Sequence, residues 1–170
     1  MRDDGDMTEP MSLMLLSALA KKHIDAQVYL CVMERDDIIS VVSKLHPDII
    51  VISGITGSHK YYLEAAKRIK AMDSHPKIIV GGPHFTFFPG EILRHEYIDY
   101  LCVGEGDDSW VEWLQAIENN LNPNEIPNIV TRENMERVLK NPKDQVLPLS
   151  FINQGDSFVP GMVDYSLDPK

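Results

Sequence analysis

Cysteine is scarce: the 170-residue chain has two, Cys31 and Cys102. They form no C-x-x-C, which excludes a zinc ribbon and a dithiol redox motif. The same count excludes an iron–sulfur cluster held by three or four cysteines of this chain. The six histidines are scattered without an H-x-x-x-H pair, so no intrinsic zinc site is expected. No apolar run approaches the ~18 residues of a membrane span. The opening MRDDGDMTEP is acidic and polar, unlike a signal peptide. Positive charge is in the minority, 16 Lys and Arg against 26 Asp and Glu, a formal net charge of −10. That balance argues against nucleic acid, whose phosphates would be repelled, and against an anionic membrane surface. The expectation is a cytoplasmic protein with reduced, buried thiols.

What is present is an ordinary globular composition, 44% hydrophobic and 25% charged, at a length that supports a real core. SLMLLSALAKKH (12–23) has helical spacing, AQVYLCV (26–32) reads as a strand, and DDIISVVSKLH (36–46) as a helix with Asp36 or Asp37 as N-cap. DIIVIS (48–53), KIIV (77–80) and IDYLCV (98–103) are apolar runs of strand length. YYLEAAKRIKAM (61–72), GEILRHE (90–96) and DDSWVEWLQAIENN (107–120) read as helices. Strands without polar alternation, interleaved with helices, predict a parallel sheet covered on both faces. After Leu121 the character changes: NPNEIPN is linker-like, 128–141 reads as a small hairpin turning near Glu133-Asn134, and the rest as an extended tail. The expected division is 1–121 as the α/β domain and 122–170 as linker, hairpin and tail. The chain opens on a helix, and MRDDGDMTEPM before it has no strand pattern.

In an open parallel sheet ligands bind beyond the carboxyl ends of the strands. Three segments leave strands there: SGITGSHK (53–60), GGPHFTFFPG (81–90) and GEGDD (104–108). Their glycines permit positive φ and close approach of a large planar ligand or its phosphates, and the helices that follow offer free N–H groups. The plainer reading is that glycine makes tight turns. Ser53, Thr56 and Ser58 read as ligand donors or as helix caps. His84 reads as a metal ligand, an acid–base group or a hydrogen-bonded loop side chain. Glu105, Asp107 and Asp108 read as paired carboxylates or as complements to a helix dipole. Phe85, Phe87 and Phe88 form a ligand-facing wall or core beneath a loop.

IIVGGPHFTFFPGEIL followed by YIDYLCVGEGDDSWVEWL resembles the cobalamin (B12)-binding domain that precedes the catalytic core of cobalamin-dependent radical S-adenosylmethionine enzymes. That family's strand, GG-x-H, proline and D-x-x-x-x-G-E-G pattern is matched by Gly81, Gly82, His84, Pro89, Asp99, Gly104, Glu105 and Gly106. EPMSLMLLSALAKK resembles its first helix, and VISGITGS its S-x-L-T loop through Ser53, Ile55 and Thr56. IPNIVTRENMERVLKNP resembles the hairpin leading to the radical domain, so the resemblance runs over roughly residues 9–148. It implies a flavodoxin/Rossmann-like doubly wound sheet with cobalamin on its carboxyl edge. It implies that Gly81 and Gly82 leave room for the nucleotide tail and that Ser53 and Thr56 hydrogen-bond its dimethylbenzimidazole or ribose-phosphate. Gly104, Glu105 and Gly106 would flank the tail from the other side, with Gly54, Ile55, Pro83 and His84 completing the contact set.

The chain departs from the wider B12 pattern in two ways. It has no D-x-H-x-x-G, so no residue is expected to bind cobalt from below. The usual first strand and the radical domain's C-x-x-x-C-x-x-C are both missing. The chain reads as cut at both ends or as a stand-alone remnant, not catalytic by itself. Loss of an interior strand predicts that 26–32 pairs with 48–53 or that another segment or chain fills the gap. An open edge of that kind favours a homodimer, and a radical S-adenosylmethionine domain or protein is the other expected partner. Two alternatives stand: an interaction module of the same fold without cofactor, and a flavodoxin-like FMN or nucleotide binder. Against the latter, no G-x-x-x-x-G-K-S/T occurs and GEGDD puts acids where a phosphate would sit.

Overall fold

The computed structural model describes residues 10–33, 35–72 and 75–136. In chain order the elements are α1 (Met11–His23), α2 (Ile38–Leu45), β1 (Ile49–Ser53), α3 (His59–Lys70), β2 (Lys77–Gly81), α4 (Pro83–Phe87), α5 (Pro89–Ile92), β3 (Tyr100–Cys102), α6 (Asp107–Glu118) and β4 (Ile129–Val130). The sheet order is β1-β2-β3-β4. β1, β2 and β3 run parallel, and β4 returns antiparallel to β3. This is the α/β sheet that the unalternated apolar runs predict.

Strand periodicity divides the core in two. Ile50, Ile52, Ile78, Val80, Leu101 and Val130 face α2 and α3 together with Phe85 and Ile92. Ile49, Val51, Ile79, Tyr100, Cys102 and Ile129 face α1 and α6, where Trp110 and Trp113 fill the space. Each fully buried Ile or Leu is worth about 1.5–3 kcal/mol relative to exposure, so β2, buried on both faces, is the keel. The Trp110 indole N–H donates to the Leu16 carbonyl at 2.9 Å and pins α1 to α6. At the amino ends of the strands, one Asp99 carboxylate oxygen accepts from the Ile78 amide at 2.7 Å and from Lys70 Nζ at 2.6 Å. Asp37 is the N-cap of α2, accepting from the Ser40 amide and hydroxyl.

Three segments differ from their sequence-based expectation. Residues 26–32 form no strand. They follow α1 on one face of the sheet and lead to α2 on the other, alongside a β1 whose residues are all half-exposed. Val28 packs on the α1–α6 core, but the segment forms no ladder with any described strand, the free edge of β1 included. Strand propensity expresses itself only against a partner. Second, the helical region begins at Pro83, not Gly90, and splits into α4 and α5, each with proline in its first turn, where a missing N–H costs nothing. Third, the turn at 132–134 closes with the Met135 amide donating back to the Thr131 carbonyl. The second arm of the expected hairpin and the extended tail lie outside the described residues.

Candidate functional site

The parallel register sets Ser53 beside Gly81 and Val80 beside Leu101. All three loops therefore leave the sheet along one rim. The first two are latched together. The Gly54 amide donates to the Gly81 carbonyl at 2.9 Å, and the His84 amide donates to the Gly54 carbonyl at 3.2 Å. The third loop is tied in by the Gly104 amide, which donates to Thr86 Oγ1 at 2.9 Å. From behind, Asn128 Nδ2 donates to the Glu105 carbonyl at 3.0 Å, and the Val103 amide donates to the Asn128 carbonyl.

The glycines here serve the protein's own packing. Gly82 has φ +95°, and a Cβ there would lie 2.8 Å from Ser53 Oγ and 3.0 Å from the Gly54 backbone. A Cβ on Gly54 would meet the Phe85 ring at 2.5 Å. Gly81 is less constrained: its Cβ would sit in ordinary contact with Cys102. The expected open slot between the first two loops is thus taken up by close backbone contact and by Phe85, which is fully buried. The three phenylalanines have separate fates. Phe85 is core, Phe88 lies tilted against His84 with ring centroids 4.9 Å apart, and Phe87 is 45% exposed.

His84 is the most unusual side chain of the rim. It is buried, and its Nδ1 is hydrogen-bonded to Thr56 Oγ1 at 3.2 Å. His59 stacks on it, centroids 3.7 Å apart. Burial lowers the His84 pKa, and the neighbouring His59 lowers it further, against the opposing pull of Glu91. The ring is therefore neutral at pH 7, with one donor and one acceptor nitrogen. Its Nε2 is buried and without a hydrogen-bond partner among the described residues, an arrangement that native proteins rarely leave unexplained. Ile55, at 61% exposure, and Phe87 give the rim an apolar lip, with Pro83, Thr56 and Glu105 also exposed. Gly104 and Gly106 are half-buried. Burial, with the Glu105 and Asp107 carboxylates adding to it, pushes the Cys102 thiol up to about 12, so it offers no thiolate. Among the described residues no cluster of three or more His, Cys, Asp and Glu side chains could hold a metal ion. None of their helices is long and apolar enough to cross a membrane.

The rim thus brings together Ser53 to Thr56, Gly81 to His84 and Gly104 to Gly106, while Asp99 lies at the opposite, amino end of the strands and Phe85 in the core. Three contributors were not singled out from sequence. Thr86 lay inside the quoted motif, but its role depends on a loop 18 residues away. His59 stacks on a ring 25 positions along the chain, and no local signal marks it. Asn128 has φ +63°, and an asparagine after proline at a turn was the only hint.

A family model described as the B12 binding domain matches residues 4–114, more than half of the chain. The chain is 27% identical over 117 residues to an uncharacterized methyltransferase of Pyrococcus horikoshii, covering 66% of this chain and 26% of that protein. It is 25% identical over 118 residues to the cytidylyl-2-hydroxyethylphosphonate methyltransferase of Streptomyces wedmorensis, covering 69% and 22%. Among solved structures, the radical S-adenosylmethionine methyltransferase TsrM from Kitasatospora setae, with cobalamin and a 4Fe–4S cluster bound, aligns with a TM-score of 0.61. That alignment covers 72% of this chain and 24% of that one at 17% identity, a likeness of fold. The chain spans about a quarter of the length of these relatives.

Proposed function

The chain belongs to the B12-binding domain family, and on that premise we propose that it is the cobalamin-binding module of a radical S-adenosylmethionine methyltransferase-type enzyme, or a descendant of one. The observation that carries this reading is the gathering of three strand-terminal loops on one rim. The residues fit a large, partly apolar ligand with hydrogen-bonding appendages. Ile55 and Phe87 offer exposed apolar surface, Ser53 and Thr56 offer hydroxyls, and the buried His84 Nε2 awaits a polar partner. The nucleotide tail would lie at the carboxyl edge, with Ser53, Gly54, Ile55 and Thr56 on one side. Gly81, Gly82, Pro83 and His84 would sit beneath it, with Gly104, Glu105 and Gly106 across from them. When bound, the cofactor supplies methyl-transfer or radical chemistry at cobalt; the chain supplies binding and orientation. The chemistry on substrate would come from a radical S-adenosylmethionine domain or protein next to this one, which residues 122–170 would connect to the 1–121 unit. No described strand pairs with the outer edge of β1, which supports a homodimer, and two free thiols suit a cytoplasmic setting.

The experiment is direct. The full chain is mixed with hydroxocobalamin and, separately, with FMN, then gel-filtered and read by visible absorbance. Corrin absorbance eluting with the protein is expected, lowered in Thr56→Val and His84→Phe. Protein eluting without corrin rejects the reading, and retention of FMN alone replaces it with the flavodoxin-like one. A second reading, an interaction module without cofactor, is favoured by one observation: the Phe85 ring, the Ser53 hydroxyl and the Gly54 backbone occupy the space that Gly54 and Gly82 leave.

A further inference from the structure

Helix α1 carries apolar residues on two faces. Toward α6 it buries the small Ser17 and Ala20, with Leu16 and Leu19 packed half-buried against the same core. On its other face Met11 is 76% exposed, and Met14 and Leu15 are each 47% exposed. A surface helix ordinarily hides such residues and shows polar ones, and among the described residues nothing covers this face. Beside it, α1 and α6 flank a shallow, open groove of about 470 Å³, with Leu15, Leu19 and Val111 as its apolar lining and His23 at its α1 side. One wall carries Asp107, Asp108 and Glu112, none with an ion-pair partner among the described residues. The basic residues of α1 are confined to its last turn, Lys21, Lys22 and His23.

We infer that this groove is a docking site for a basic amphipathic helix of a partner protein or domain. The apolar floor takes the occupant's leucine-type stripe, as helix-in-groove recognition does. Exposed methionines adapt to an imperfect fit. The three carboxylates take lysines or arginines along one flank, which fixes orientation and speeds association. An acidic or neutral helix would leave that wall repelled or unpaired. The groove is also well placed. Asp107 directly follows the Gly104–Gly106 loop, so a body seated here borders the rim. Only the reason for a partner to sit beside that rim rests on the cobalamin reading; the groove's chemistry does not.

The test uses the full chain and a fluorescent synthetic peptide of leucine and lysine, with leucines at three- and four-residue spacing. A peptide of identical composition in scrambled order is the control. Anisotropy is expected to show the ordered peptide binding at least about tenfold tighter than the scrambled one. Leu15→Asp and Val111→Asp should each weaken it about tenfold or more. The triple change Asp107→Asn, Asp108→Asn, Glu112→Gln should weaken it and flatten its salt dependence. Leu15 is half-exposed, so Leu15→Asp should keep the wild-type melting temperature, which separates lost docking from lost folding. Equal binding of both peptides, or binding indifferent to Leu15→Asp, overturns the inference. So does a dimer in sedimentation that Leu15→Asp dissolves, which would make a second copy the occupant. Crosslinks from Lys22 to Lys140 or Lys143 in the free chain would assign the groove to the chain's own later residues and overturn it equally. Corrin retention measured on the same variants should be unchanged. Its loss in the wild-type protein with peptide binding intact strikes the cobalamin reading alone.

Discussion

Residues 77–80 and 26–32 are both short apolar runs rich in β-branched and aliphatic side chains. The first is β2, hydrogen-bonded on both sides with Ile78, Ile79 and Val80 buried. The second is irregular, with Tyr29 and Leu30 exposed. The difference lies in their neighbours. β2 is paired by β1 and β3, while 26–32 pairs with no described strand, and β1 stays half-exposed throughout. The sheet therefore has a closed side, β2-β3-β4, and an open side, β1 with the segment before it.

Hydrogen exchange probes that contrast with the largest expected effect. Amides of Ile78–Val80 should exchange about a thousandfold or more slowly than those of 28–31, which make no ladder. Comparable protection would mean that the open side is closed in solution. Truncation comes next. Ile78→Ala, at a fully buried site, should cost about 3–4 kcal/mol, while Ile50→Ala on half-exposed β1 should cost under about 1.5 kcal/mol by urea denaturation. Equal costs would erase the distinction between the two sides. Gly82→Ala should destabilise by about 2 kcal/mol, because positive φ and the Ser53–Gly54 contact both forbid a Cβ. Gly90→Ala, which meets open space in α5, should stabilise by about 0.5 kcal/mol. Asp99→Ala leaves the Ile78 amide without its acceptor and Lys70 with the Pro76 carbonyl alone, and should cost about 1–2 kcal/mol, loosening the closed side from its amino end.

The smallest effect is a pH dependence. His84 has its pKa lowered from the ordinary 6.5 by burial and by His59. As pH falls below 6.5 the unfolded chain takes up the proton before the folded one does. The contribution of His84 is thus complete above 6.5 and is lost as pH drops through the depressed folded value. His84→Phe should flatten the change in urea midpoint between about pH 7.5 and about pH 5. An undiminished slope would place the titration at another group.

The fold class was legible because parallel sheets write themselves as unbroken apolar runs; β1 and β3 fall inside the predicted segments, and β2 overruns its own by one residue, Gly81. The rim was legible because glycine clusters mark the ends of such strands. What sequence could not convey was occupancy. Bare backbone at Gly54 and Gly82 reads as space for a visitor, yet Phe85 and Ser53 are what come close. The stack of His59 on His84 and the hold of Asn128 on Glu105 join residues more than 20 positions apart, beyond any local pattern. The status of 26–32 was hidden for the same reason, since a strand is a property of a pair.

β4 is short, but its outer groups are spoken for. The Asn134 side-chain amide donates to the Ile129 carbonyl and accepts from the Thr131 amide. Among the described residues the sheet therefore has a valence of one: a further strand can add at β1, while the outer side of β4 is already occupied. Main-chain pairing of these strands completes with a single addition.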